Sequence, residues 1–365
     1  MALNIGIVGL PNAGKSTIFN ALTRAKAPTA GYPFTTIEPN TGVMQLPDER
    51  LLKIAEFTHP EKITPATVEF VDVAGLVRGA SRGEGLGNQF LGHIRNMSAL
   101  LHVVRCFIDE NVAHPEGAID PKSDIEVIET ELLLADLQTT ERRVARVEKQ
   151  AKSGDREAQR SLAVYQRVKE LLESGKTASL FSPNDAEETH IFDELGLLTA
   201  KPGFFAANID EGSMPGGNRF SDEVLKIAGE RNIPAVVISG KIESELLDLD
   251  EAERAEYLGE LGITETGLVG VIRGGYRLLG LITFYTTVGP ELRAWSVPAG
   301  TPAPRAAGKI HSDMERGFIK AEVLNFHDLA IVGSEHQAKE EGKVRMEGKD
   351  YIVQDGDIIR IKFNA

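Results

Sequence analysis

Apolar positions follow two rhythms along this chain. Short continuous runs at residues 3–8, 67–73 and 99–107 read as buried strands, because a strand covered on both faces needs no polar alternation. Between them, Lys15–Arg24 places its apolar residues at helical spacing. Strands alternating with helices predict an α/β domain built on a mostly parallel sheet. From 125 to 175 the rhythm changes to Leu, Glu, Arg, Ala and Gln at helical spacing, broken by Ser153, Gly154 and Asp155, which predicts two long helices in an antiparallel hairpin. Strand runs resume at 203–207 and 233–238, so the hairpin is an insertion within an α/β domain whose sheet is completed after it. A helix over 265–279, a strand over 282–288, further short strands with Gly/Pro turns and the closing run 357–363 predict a small β-rich domain.

With 365 residues and roughly 150 per domain, two or three domains are expected. Hydrophobic residues at 42% and charged residues at 26% exclude wholesale disorder and collagen-like architecture. The net charge of −14 excludes bulk attraction to phosphate backbones, so no DNA specificity is expected and any nucleic-acid contact must be local. A single cysteine, Cys106, forms no internal disulfide and reads as a buried thiol. The chain shows no targeting segment and no apolar stretch near the roughly 20 residues that span a bilayer, which predicts a cytoplasmic protein with no membrane partner.

The chemistry starts at Gly9-x4-Gly14-Lys15-Ser16, placed directly after an apolar strand and opening a helix. Glycines let successive backbone N–H groups close around phosphate oxygens, Lys15 reaches the β and γ phosphates, and the Ser16 hydroxyl ligates Mg²⁺. Asp72-x-x-Gly75 ends a second apolar strand, the arrangement in which an aspartate reaches the Mg²⁺ shell and a glycine N–H senses the γ-phosphate. Between them, Thr36 in Tyr32-Pro-Phe-Thr35-Thr36 is the better placed threonine to complete that shell. Leu76 stands where many GTPases carry the water-orienting glutamine, so the catalytic polar group must come from elsewhere. The glycine-rich stretch after it reads as a mobile switch.

Base selection points away from guanine. A GTPase usually carries Asn-Lys-x-Asp after a late strand, whereas here the strand runs into Asn208, Ile209, Asp210 and Glu211. The lysine that packs over guanine has become Ile209 and the carboxylate sits one methylene further out, which favours ATP. Ser239 and the backbone after it close the far side of the base.

These segments resemble the YchF family of P-loop NTPases, whose eukaryotic members are the Obg-like ATPases. The resemblance rests on NIGIVGLPNAGKSTIFNALT, YPFTTIEPN, VDVAGLVRGASRGEGLGNQFL, the NIDE segment and GKIHSDMERGFIKAEV, and covers essentially the whole chain. It implies a P-loop G domain at 1–124 and 200–280, an inserted helical (coiled-coil) domain at 125–199, and a C-terminal TGS domain of β-grasp type at 281–365. It implies nucleotide contacts at Asn12, Ala13, Gly14, Lys15, Ser16, Thr17, Asn208, Ile209, Glu211 and Ser239, and metal contacts at Ser16, Thr36 and Asp72. With Leu76 in place of the glutamine, the resemblance assigns the catalytic role to His114, in the loop after the strand 99–107, with Lys15 beside it. His102, inside that strand, reads as structural. Many relatives have cysteine at the position of Thr35, so redox control through that thiol does not carry over. Asn12 adds a K⁺ site as a second cofactor beside Mg²⁺, with structural bracing of the loop as the other reading.

The implied partner is the ribosome, through its large subunit or the whole particle, with rRNA met by the helical and TGS domains. Residues 141–176 hold ten Lys/Arg against six Asp/Glu, and Arg142, Arg146 and Lys149 recur at i, i+4 and i+7 on one face. From 281 onward 11 basic residues meet 12 acidic ones, so that domain makes contact by shape more than by charge. The leading expectation is an ATP-hydrolysing, ribosome-associated switch. Its rivals are an Obg-like GTPase and a nucleotide-stabilised RNA or ribosome adaptor with negligible turnover; a metabolic P-loop kinase is disfavoured by Asp72-x-x-Gly75.

Overall fold

The computed structural model describes residues 4–24, 41–73, 86–115 and 117–364, with the backbone alone for 86–90. Thr36, Gly75, Leu76 and residues 78–85 of the glycine-rich stretch lie outside the described residues, and the last three positions of that stretch, 86–88, open a helix. The strands are β1 (Asn4–Val8), β2 (Thr41–Gln45), β3 (Lys62–Thr64), β4 (Thr67–Asp72), β5 (Ala99–Cys106), β6 (Gly203–Ile209), β7 (Ala235–Ile238), β8 (Leu281–Val288), β9 (Glu291–Pro298), β10 (Phe318–Asn325), β11 (Arg345–Glu347) and β12 (Asp357–Phe363). The helices that matter here are α1 (Lys15–Arg24), α2 (Glu49–Thr58), α3 (Leu86–Arg95), α4 (Pro121–Lys152), α5 (Arg156–Glu173), α6 (Ala186–Asp193), α7 (Arg219–Arg231), α8 (Gly240–Glu245), α9 (Glu251–Glu260), α10 (Gly267–Leu278) and α11 (Ala303–Ile310).

One compact unit comprises Met1–Gly42 and Glu69–Gly275. Its sheet runs in the order β2-β4-β1-β5-β6-β7, and the β1–β4, β1–β5, β5–β6 and β6–β7 pairings are all parallel. Parallel strands covered on both faces explain the near-continuous apolar runs: all eight residues of β5 are buried. The register sets the carboxyl edge. Ile7 lies opposite Asp72, Val8 opposite His102, Arg105 opposite Asn208 and Asn208 opposite Ile238. The residues that follow these strands therefore collect along one rim, where open α/β sheets place their ligands. α10 lies against this sheet at glycine-only range, since a Cβ on Gly267 would stand 2.6 Å from Ile238 and one on Gly275 2.3 Å from Ile5.

α4 and α5 form the hairpin. Pro121 at the first turn and the Asp120 side chain, which accepts the Ser123 N–H, start α4; Asp155 accepts from Glu157 and Ala158 N–H and starts α5. Such caps are each worth about 1 kcal/mol. Val164, Val168 and Leu172 share one buried stripe of α5 and pack against Leu133, Leu137 and Val147 of α4. The buried Asp136 of α4 accepts from Leu198 N (2.7 Å), Thr199 N (2.8 Å) and Thr199 Oγ1 (2.7 Å), tying the hairpin to the chain that returns to the sheet. The hairpin belongs to the same compact unit as the sheet, whereas the sequence set 125–199 apart as a domain.

The second unit comprises Val43–Val68 and Tyr276–Ala365. Its sheet runs β11-β10-β12-β8-β9-β3, with β8–β9 and β10–β12 antiparallel and β12–β8 parallel. A hairpin, a helix (α11) and a last strand inserted beside the first is the β-grasp order. β3 is added to its edge, parallel to β9. The sequence placed 43–68 with the nucleotide domain and began the last domain at 281. The structure gives both 43–68 and 276–280 to the second unit. Asp48 and Arg50, from the start of α2, reach Tyr285 and Asp355 there: Arg50 donates to Asp48 (3.0 Å) and Asp355 (2.7 Å), and Tyr285 OH donates to Asp48.

Candidate nucleotide site

The turn from β1 to α1 is built for close approach of backbone to ligand. Gly9 (φ 155°), Asn12 (φ 65°) and Gly14 (φ 90°) all take positive φ. A side chain on Gly9 would meet the Val103 carbonyl at 2.4 Å, and one on Gly14 would meet Asn208 Nδ2 at 2.1 Å. Asparagine is the non-glycine residue best suited to the left-handed conformation at position 12.

Lys15 is buried, and its Nζ donates to the Leu10 carbonyl at 2.7 Å, so the ammonium is held inside the loop's own curve. Burial lowers its pKa to about 8, with the Asp72 carboxylate opposing. Ser16 Oγ lies 3.4 Å from Asp72 Oδ2. Burial raises the Asp72 carboxyl above the usual range, against the pull of Lys15 and Ser16. Its other oxygen, Oδ1, is buried with no hydrogen-bond partner among the described residues. An orphaned carboxylate oxygen beside a serine hydroxyl fits Mg²⁺, which takes one or two protein oxygens and leaves its remaining positions to phosphate and water. Among the described residues no three His, Cys, Asp or Glu side chains cluster to form an all-protein metal cage.

The loop after β5 is pinned from three sides. The buried Arg105 guanidinium donates to the carbonyls of Phe107 (3.2 Å), Val112 (2.9 Å) and Ala113 (3.3 Å). Asn12 Nδ2 donates to the same Ala113 carbonyl at 2.9 Å, so the phosphate loop touches this loop directly. His114 Nε2 lies 3.1 Å from Asp124 Oδ2 in the first turn of α4, and both side chains are about 5% exposed or less. His102 is separate from this network. It is buried 5.6 Å from the Phe205 ring, and burial next to the Lys15 and Arg231 cations lowers its pKa to about 3, so it is neutral. Cys106 is fully buried and its thiol is pushed up by burial, which leaves it inert.

At the other end, Asn208 is a clamp. Its Nδ2 donates to the Ala13 carbonyl (2.9 Å) and its Oδ1 accepts from Gly240 N (3.0 Å), joining the phosphate loop to the start of α8. Thr17 lies beside Gly240, and Ser239 Oγ is buried with no partner among the described residues. Glu211 receives an ion pair from Lys241. Ile209 corrects the sequence-based expectation. Only 2% exposed, it packs with Cys106, Phe205 and Val224 in the core, so its side chain cannot cover a base in the manner of the lysine it replaces. Adjacent strand residues point to opposite faces, and Asn208 already faces the phosphate loop.

Sequence reasoning thus named Asn12, Ala13, Gly14, Lys15, Ser16, Asp72, Asn208 and Ser239, and the structure gathers them on one rim. It overlooked Arg105, Asp124 and Lys241. Arg105 had a signal, a lone cation in the apolar run LLHVVRCF, whereas Lys241 stands 30 residues from its partner.

Two family models match the chain: MMR_HSR1, described as a 50S ribosome-binding GTPase, over residues 4–150, and YchF-GTPase_C, described as a protein of unknown function (DUF933), over 281–364. The chain is 49% identical over 365 residues to the protein named ribosome-binding ATPase YchF of Escherichia coli O157:H7, and 50% identical over 366 residues to that of Haemophilus influenzae, with 100% of both chains covered in each case. The solved structure titled as the Schizosaccharomyces pombe YchF GTPase superposes with a TM-score of 0.88 at 33% identity, covering 99% of this chain and 97% of that one. With a P-loop fold that matches from end to end and near-half identity over full length, the chain belongs to the YchF family of P-loop NTPases.

Proposed function

We propose that this chain is a cytoplasmic, ribosome-associated switch that binds and hydrolyses ATP in preference to GTP. The observation that carries the reading is the convergence of Lys15, Ser16 and the orphaned Asp72 oxygen at the mouth of the β1–α1 turn, in a chain whose relatives are named ribosome-binding ATPases. The phosphates would meet the backbone of Asn12, Ala13 and Gly14 together with Lys15, Ser16 and Thr17. The metal would be Mg²⁺ on Ser16, Asp72 and Thr36, where it supplies charge neutralisation of the transferring phosphoryl group. The base would meet Asn208, Glu211, Ser239 and the main chain at Ile209. K⁺ beside Asn12 is a second cofactor, tested by turnover in K⁺ against Na⁺.

His114 is the residue proposed to orient the attacking water. Support comes from its loop, which Asn12 ties to the phosphate loop, and from Asp124, which fixes the ring as a carboxylate fixes a catalytic imidazole. His114→Ala should lower kcat by roughly 10²–10⁴ with ATP affinity nearly unchanged. Wild-type turnover by this variant, alone and with ribosomes, overturns the role.

Cations of the hairpin divide into two sets. Lys152, Arg160, Arg167 and Lys169 are paired with carboxylates, whereas the other six are exposed with no ion pair among the described residues: Arg143, Arg156, Lys176 and, sharing one face of α4, Arg142, Arg146 and Lys149. Unpaired cations on one helix face are what a phosphate backbone would engage, so this stripe is proposed to meet rRNA. Changing all three to Glu should weaken co-sedimentation with ribosomes in a salt-dependent way and leave ATP affinity intact. Unchanged co-sedimentation at low salt returns the stripe to an ordinary solvated face.

A further inference from the structure

We infer that Lys241 is a specificity residue, which turns the base end of the site against guanine by holding the Glu211 carboxylate in an ion pair. The inference rests on the reading of Glu211 as the carboxylate that faces the base. Both partners hang from one clamp: Glu211 follows Asn208 at the end of β6, and Lys241 follows Gly240, whose N–H is bonded to the Asn208 side chain. The ammonium of Lys241 reaches Glu211 across this short span and has Glu245 as a second carboxylate at 3.9 Å.

Guanine offers two donors on its Watson–Crick edge, N1–H and the exocyclic amine, and a free carboxylate accepts both. With Lys241 in place, guanine must displace an ammonium to gain those bonds. Adenine has no such donors at N1 and the C2 position; it presents the N1 lone pair, which a bare carboxylate would repel. Pairing with Lys241 neutralises the carboxylate and removes that repulsion. The same contact therefore penalises guanine and spares adenine. Changing Asp to Glu at this position is only half of the altered selectivity, and the lysine that keeps the glutamate occupied is the other half.

Equilibrium titration of the full-length protein with ATP and with GTP, at fixed Mg²⁺, tests this in wild type, Lys241→Met, Lys241→Arg, Glu211→Ala and the Met/Ala double variant. Lys241 is well exposed, so the methionine variant keeps the fold. An exposed ion pair contributes modestly, so Lys241→Met should lower the ATP:GTP affinity ratio roughly two- to fivefold. Lys241→Arg should retain the ratio, and in the Glu211→Ala background Lys241→Met should change nothing. The wild-type ratio should also fall as salt is raised, because the pair is screened while the two triphosphates are screened alike; the ratio of Lys241→Met should stay flat. An unchanged ratio in Lys241→Met, with Glu211→Ala altering it, overturns the lysine's role and leaves the base-end reading standing. A shift that persists in the Ala background shows Lys241 acting on the base directly and also overturns the inference. No effect of Glu211→Ala on the ratio removes the base-end reading and this inference together.

Discussion

The two ends of the nucleotide site are built by different means. At the proposed phosphate end the residues come from one contiguous stretch, 9–17, whose turn takes its shape from three positive-φ residues. Every nucleoside triphosphate presents the same phosphates, so this end has one solution and its motif is intact. The residues proposed for the base end, Asn208, Glu211 and Ser239, with Lys241 paired to Glu211, come from two strand ends about 30 positions apart, and discrimination there would depend on which side chains face inward and what already occupies them.

The sharpest way to test that division is at Ile209, which belongs by position to the base motif and by packing to the core. Ile209→Ala should cost about 2–5 kcal/mol in chemical denaturation, and Ile209→Lys more, since it buries an unpaired cation. Neither change should move the ATP:GTP ratio of the folded protein; a shift toward GTP in Ile209→Lys would put this side chain at the base after all. Next in size is Lys15→Ala, expected to weaken ATP and GTP equally, by at least about 10- to 100-fold, the worth of hydrogen bonds to charged groups. Unequal losses measured by titration would break the separation of the two ends.

The smallest effect is one of pH. Burial lowers Lys15 from its ordinary value to about 8, so the ammonium that phosphate needs is present below pH 8. Above that, binding must take up a proton, and affinity should fall by up to about tenfold per pH unit, alike for ATP and GTP. Calorimetry in two buffers of different ionisation enthalpy reads the proton directly. The same shift acts oppositely on folding. Between about pH 8 and 10.5 the unfolded chain holds a proton that the folded chain has released, so this group's contribution to stability rises with pH.

Local signals carried most of the fold. The helix α1 falls on the residues that the apolar spacing and the phosphate motif both marked, and Asp155 caps α5 where the break in helical rhythm put a turn. Less legible was anything decided by partners distant in sequence. Residues 43–68 join the second unit because Asp48 and Arg50 satisfy Tyr285 and Asp355, more than 200 positions away, and no local pattern announces such a match. Ile209 was open to a better reading, since strand alternation alone sets it opposite Asn208. The pairing of His114 with Asp124 depends on where α4 begins, which the change of rhythm near 125 located only approximately.

α4 joins two places that chemistry would otherwise keep apart. Its first turn grips His114 through Asp124, and its unpaired cations stand some 22 residues further along the same rod, ~33 Å away at 1.5 Å per residue. A rod of that length amplifies angle: pivoting it by about 5° at the His114 end sweeps the Arg146 region through ~3 Å. A tilt that leaves the Asp124 contact at the pivot intact is therefore a displacement of about 3 Å at the exposed cations.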